Sequence, residues 1–179
     1  KKEKSVFMLA EAENPELHRV GFDATYAWHF HFVMNEIAQN KKFANDIKKY
    51  IKNKSKEFSK SSYRLHFTSN HDENSWKGHV NERLGSLVKS FAVMSVTLEG
   101  MPLIYNGQEA GLNKRLEFFE KDTICWDDLS MTDFYKKLFK LKKENIALWN
   151  GDYGGEIEIV SNEGDSLSFA YIRKKNNNK

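Results

Sequence analysis

Two places in the 179-residue sequence set reactive side chains at the ends of apolar runs. Glu11 follows directly on the run Ser5 to Ala10, and Asn70-His71-Asp72 follows directly on the alternating run Tyr63 to Thr68. A carboxyl group where a buried strand ends stands at the mouth of a sheet, where partial desolvation raises a carboxyl pKa toward the range of a useful general acid. Adjacent imidazole and carboxylate groups can hydrogen-bond vicinal hydroxyls or support positive charge developing at a reacting carbon. Each has a plainer reading. Glu11 could be a surface or helix-capping glutamate, with Glu13 and Glu16 as close competitors, and Asn70 to Asp72 could be an Asx-rich loop bonding its own backbone.

Other chemistries find less support. His66, His71, Asp72, Glu73 and His79 are close in sequence but match no His-Glu-x-x-His pattern, and His29 and His31, two apart, do not share a helix face. No metal site is expected. The lysines at 41, 42, 48, 49, 52, 54, 56 and 60 lack interleaved aromatics and read as a solvated helix face rather than a nucleic-acid surface. A net charge of +3 is too small to imply nucleic acid or an anionic membrane, and no run of 18 apolar residues predicts a transmembrane helix. The single cysteine, Cys125 beside Trp126, excludes an intramolecular disulfide framework and a multi-cysteine zinc site and reads as packing. No Gly-x4-Gly-Lys loop, Gly-x-Gly-x-x-Gly sequence or Ser-His-Asp elbow is present, and Gly107 and Gly111 bracket Gln108 and Glu109 in a strand-exit turn. The N-terminus carries no signal-like succession, and the compartment is left open.

The elements that must position these residues alternate. Ser5 to Ala10 has the pattern of a strand buried on both faces, and Asn14-Pro15-Glu16 starts a short helical turn that Gly21 stops before a second run, Phe22 to Tyr26. From Trp28 the apolar residues Phe32, Val33, Ile37, Ala38, Phe43, Ile47, Tyr50 and Ile51 recur at helical spacing, with a break near Asn40, and a polar stretch from Asn53 leads to the strand Tyr63 to Thr68. Leu84 to Leu98 predicts a helix closed by Gly100, and Met101 to Tyr105 a further strand. A last helix is expected from Asp133 to Leu148, capped by Thr132 or Asp133. Glu156 to Val160 and Ser166 to Ile172 then alternate around Asn162 to Asp165, a hairpin signature that opens an all-β module near Gly151.

The class is therefore α/β. Glu11 and Asp72 lie about 60 positions apart with one strand between them, or about 30 residues per strand-helix unit. An eight-unit barrel of about 250 residues has the same spacing and carries its functional groups at strand C-terminal ends. Residues 1–150 fit half a (β/α)8 TIM barrel, and an open doubly wound sheet of four or five strands would give the same alternation.

Three segments sharpen this. Leu9-Ala-Glu-Ala12, Phe67-Thr-Ser-Asn-His-Asp72 and Gly100-Met-Pro-Leu-Ile-Tyr-Asn-Gly-Gln-Glu109, each after a strand and in this order, resemble the α-amylase family of glycoside hydrolases. The resemblance implies a partial barrel, its strands the fifth to eighth, over residues 1–150, and the start of a C-terminal β-sandwich domain over 151–179. It implies a retaining mechanism in which Glu11 is the catalytic acid/base and Asp72 a further catalytic carboxylate that binds and distorts the sugar. His71 and Asn70 match substrate-binding positions, with Asn70, Gln108 and Glu109 read more as supports. Glu13 is the chief alternative to Glu11, because this segment departs from the commoner Gly-Glu-Val form. The family's nucleophile, an aspartate at the fourth strand's end near an arginine, has no match here, so the chain is expected to be the C-terminal part of an α-glucan hydrolase and inactive alone. The family's calcium ligands also come mainly from the earlier half, so no cofactor is expected in this chain, with calcium possible in a full-length parent. The implied partners are an α-glucan oligo- or polysaccharide and either the missing half barrel or further copies of the chain, since a half barrel leaves sheet edges open. The alternative is a non-catalytic barrel relative that binds carbohydrate or protein.

Overall fold

The computed structural model describes residues 6–160 and 166–176. Four short strands form a parallel sheet in the order β1 (Leu9–Ala10), β2 (Ala24–Tyr26), β3 (Tyr63–Phe67) and β4 (Met101–Leu103), with Leu9 opposite Ala24, Ala24 opposite Tyr63 and Leu65 opposite Met101. Sequential order matters, because a doubly wound sheet reverses strand order part-way whereas a barrel does not. With crossovers of one hand, every connecting helix falls on the same face. The sheet is thus a barrel segment, with an outer helical layer and an inner face.

The two-residue period of β3 sorts its side chains between those faces. Leu65 and Phe67 join Tyr26, Trp28, Met101 and Leu103 in one cluster. Arg64 and His66 point the other way, where the His66 ring lies 5.1 Å from that of Phe30. The helices α1 (Glu16–Arg19), α2 (Trp28–Ala38), α3 (Asn45–Glu57), α4 (Val80–Leu84) and α5 (Val88–Thr97) follow in order. Phe30, Val33 and Met34 of α2, Ile47 and Tyr50 of α3 and Phe91 of α5 make the main apolar core. The last helix, α6 (Thr132–Glu144), buries Tyr135 and Leu138 against Ala92 and Val96 of α5.

Several expectations need correction. Val6, Phe7, Met8 and Leu9 are exposed rather than buried on both faces, because β1 is an outer strand and pairs only with β2; Ser5 lies outside the described residues. The break expected near Asn40 is present, where Asn40 takes a left-handed φ of 58° between α2 and α3, but α3 runs on to Glu57 through what reads as a polar stretch. The pattern from Leu84 to Leu98 is α4, a 3-10 turn and α5. α6 ends at Glu144, and neither Thr132 nor Asp133 caps it: its start carries no side-chain cap, and the Thr132 hydroxyl donates instead to the Glu109 carbonyl (2.9 Å).

The strands β5 (Glu156–Val160) and β6 (Ala170–Lys174) pair antiparallel as a separate two-stranded sheet; the expected turn residues Asn162 to Asp165 lie outside the described residues. Ile157, Phe169 and Tyr171 pack on the main core, and the buried Arg173 donates to the carbonyls of Gly155, Thr97 and Trp149 (3.0, 2.9 and 3.1 Å). Among the described residues no helix is long and apolar enough to cross a membrane.

Candidate active site

The C-terminal ends of the parallel strands bring together residues that are remote in sequence. Glu11 leaves β1, and His71 and Asp72 leave β3 after a three-residue turn. His71 Nε2 lies 3.6 Å from Glu11 Oε1 and 3.8 Å from Asp72 Oδ1, and one ligand atom from each of the three residues falls within 4.8 Å of the others. Their side chains are 43%, 47% and 44% exposed for Glu11, His71 and Asp72. The desolvation expected around Glu11 is therefore not supplied by the residues of this chain. Two carboxylates with an imidazole between them can exchange a proton with a bound hydroxyl or ether oxygen, and the spacing would also admit one cation. Tyr26, a residue sequence reading did not single out, faces this group: burial and then the charges of Glu11 and Asp72 raise its phenol pKa, which keeps the hydroxyl protonated as a donor.

Beneath the exposed group lies a hydrogen-bonded support. Asn70 is 1% exposed, and its Oδ1 accepts the Glu73 backbone N–H at 2.8 Å, which shapes the turn, while its buried Nδ2 is left without a hydrogen-bond partner among the described residues. The turn continues as a short π-helix, Glu73–Lys77. Glu73 Oε2 lies 2.7 Å from Nε2 of the buried His31, and Arg83 stands 3.8 Å from Glu73 while donating to the carbonyls of Gly78 and Thr68 (2.7 Å each) and to Asn35 Oδ1 (2.9 Å). Burial works to raise the Glu73 pKa, but His31 and Arg83 outweigh it and the pKa is lowered. Gln108, also buried, donates to Thr68 Oγ1 (2.8 Å) and Tyr135 OH (3.1 Å) and accepts the Tyr105 N–H (2.8 Å), which ties β3, the β4 exit and α6 together. The histidine-acid set of the metal hypothesis is not assembled, since His66 is buried in the outer layer and only His71 and Asp72 of it reach the cleft group.

Glu13, the alternative acid, stands elsewhere. Its carboxylate accepts from Arg64 Nη2 (2.6 Å) and the His29 N–H (2.5 Å) and pairs with Lys54 Nζ (2.7 Å). Burial works to raise its pKa, but Lys54, Arg64 and the His29 N–H prevail and lower it, which makes a poor proton donor.

A family model described as "Alpha amylase, catalytic domain" matches residues 10–145. The chain belongs to this α-amylase catalytic-domain family. Among curated relatives of this α-amylase-family chain, Alpha-amylase 2 of Dictyoglomus thermophilum is 25% identical over 162 residues, covering 83% of the chain and 27% of the relative. An amylopullulanase of Thermoanaerobacter thermohydrosulfuricus is 29% identical over 100 residues, 55% of this chain and 6% of that protein. Among solved structures, a noncanonic maltogenic α-amylase, AmyB, from Thermotoga neapolitana superposes with a TM-score of 0.82 at 19% identity, over 97% of this chain and 40% of that one. A cyclomaltodextrinase superposes at 0.76 with 20% identity, over 96% and 30%. The chain thus spans well under half the length of the relatives it matches, and its fold is a partial α-amylase barrel.

Proposed function

We propose that this chain supplies the acid/base half of the active site of a retaining α-glucan hydrolase. The observation that carries this reading is the meeting of Glu11, His71 and Asp72, within 4.8 Å, at the C-terminal ends of sequentially ordered parallel strands. On this reading β1 to β4 are the fifth to eighth barrel strands, and the β5–β6 hairpin opens the C-terminal domain. Protonated Glu11 gives its proton to the glycosidic oxygen as a carboxylate attacks the anomeric carbon and the C–O bond breaks. The Glu11 carboxylate then takes a proton from water as that water displaces the enzyme carboxylate. Asp72 and His71 hold the hydroxyls of the reacting sugar. Glu13 and Glu73 are engaged with cations, and on this reading the nucleophile is the aspartate that the family carries at its fourth barrel strand. No cofactor is required of this chain. Its partners are the α-glucan and the remainder of the barrel, or other copies where that remainder is missing.

One observation favours a second reading. Glu11 and Asp72 approach within 4.8 Å, close to the separation of about 5 Å at which retaining enzymes set acid and nucleophile, and well short of the inverting distance. Asp72 would then be the nucleophile and this chain self-sufficient. Reducing-end release from starch separates the two. The first reading expects none from this chain alone and turnover once the remaining strands are joined to it. Release by the chain alone, abolished by Glu11→Gln, would establish the second.

A further inference from the structure

Beyond the cleft group, the loop after the Gln108–Ala110 turn presents two phenylalanines to solvent beside a tryptophan of the π-helix. Trp76 is 54% exposed, Phe118 38% and Phe119 81%. The three rings pack on one another, with centroids 5.0 Å apart for Trp76 and Phe118, 4.8 Å for Phe118 and Phe119, and 6.1 Å for Trp76 and Phe119. Phe118 also lies 6.0 Å from the His71 imidazole with 29° between the planes. The aromatic surface is thus continuous with the proposed sugar-binding histidine.

This surface is held in place. Asn74, buried in the same turn that carries His71 and Asp72, accepts the Leu116 N–H through Oδ1 (2.8 Å) and donates through Nδ2 to the Lys114 carbonyl (3.2 Å). Asp122 accepts the Glu117 N–H (3.0 Å) and Lys114 Nζ (2.6 Å), and Arg115 pairs with Glu82. The backbone before Phe118 is tied to the site by Asn74, the backbone after Phe119 is tied back to it through Asp122, and Lys114 and Arg115 are each paired with a carboxylate. An anchored, exposed aromatic surface flanked by charged side chains suits a ligand that is apolar on its faces and polar at its rim. A glucopyranose ring has this form, with C–H bonds on its faces and hydroxyls around its edge.

We propose that Trp76, Phe118 and Phe119 form a sugar-stacking subsite that extends glucan binding outward from His71 and Asp72 and sets a preference for longer chains. The inference rests on the α-glucan reading above. The test uses the protein as its gene encodes it, in a Glu11→Gln background so that ligand is not consumed. Calorimetric titration with maltoheptaose and maltotriose is compared across Trp76→Ala, Phe119→Ala and Phe119→Tyr. The Kd for maltoheptaose should rise roughly five- to tenfold in both alanine variants, recover in Phe119→Tyr, and move much less for maltotriose, with the thermal melt unaltered. Equal losses for both sugars, no loss for maltoheptaose, or a lowered melt that shows the rings packed against another part of the protein would overturn it. Hydrolysis by the unmutated protein is scored separately. Hydrolysis without a stacking effect overturns the subsite alone, and ring-dependent glucan binding without hydrolysis overturns the catalytic reading alone.

Discussion

Glu11 and Glu13 leave one strand two residues apart and enter opposite environments. Glu11 stands half-exposed at the cleft with His71 3.6 Å away, whereas Glu13 sits between Arg64, Lys54 and the His29 N–H in the outer layer. The cleft leaves its charged groups exposed and open to a ligand, while the outer layer pairs opposite charges and uses them to hold strand against helix. On the proposed reading, chemistry and stability fall to neighbouring carboxylates according to what surrounds them. Substitutions that neutralise one and then the other should separate the two roles.

The largest separation is expected in turnover. In the intact protein, Glu11→Gln removes the proposed proton donor and should lower kcat on soluble starch by roughly a thousandfold, within the range for general acid catalysis. Asp72→Asn should follow with a loss of at least about a hundredfold, and Glu13→Gln should stay within about threefold. Comparable losses for Glu11→Gln and Glu13→Gln would erase the distinction.

In stability the order reverses. Glu13→Gln leaves the buried Arg64 guanidinium and Lys54 short of their carboxylate and should cost about 3 kcal/mol in urea unfolding. Glu11→Gln, at an exposed site, should change stability by no more than about 0.5 kcal/mol.

Acid sharpens the same contrast through two separate pH windows. The buried His66, its pKa pushed down to about 3 by burial and then by the Arg64 charge, is harder to protonate folded than unfolded, where the ordinary value is 6.5. Its contribution is complete above pH 6.5 and falls away as the pH drops toward 3, costing about 2 kcal/mol by pH 5 at some 1.4 kcal/mol per unit. Glu13 and Glu73, whose pKa values lie below the ordinary 4.5, contribute fully above 4.5 and lose that contribution as the pH falls further. Urea unfolding across pH 7 to 3 should show both slopes. His66→Gln should flatten the upper one, and Glu73→Gln should reduce the lower.

How much of this was legible in sequence follows the same division. Groups aimed at the cleft follow strand ends, so Glu11, His71 and Asp72 stood out by position, while the strand-helix alternation fitted a half barrel or an open sheet equally and three family-like segments chose the barrel. The groups beneath them did not stand out. Arg64 looks like an ordinary strand residue until the alternation of β3 turns it under α3, and His31 gains meaning only from Glu73, 42 positions away. Glu13 stayed an alternative to Glu11 in sequence, because the cations that claim it come from β3 and α3. The burial expected of Val6 to Leu9 failed for a related reason: an apolar run reports a capacity for burial, and burial also needs a neighbour on the far side.

The smallest expected effect tests whether the cleft's periphery belongs to the stable layer or to the ligand-facing one. Asn74 is buried like the supports, yet both of its hydrogen bonds go to the loop that carries Phe118. Asn74→Ala leaves the N–H of Leu116 and the carbonyl of Lys114 to water, so the cost should be only about 1 kcal/mol in urea unfolding. Amide exchange should nevertheless speed up across residues 114–119 and not in β3. If the loss instead reached about 3 kcal/mol with faster exchange in β3, Asn74 would belong with Arg83 and Glu73 as a member of the core support. A local effect makes it the hinge between a rigid barrel wall and a surface positioned for sugar.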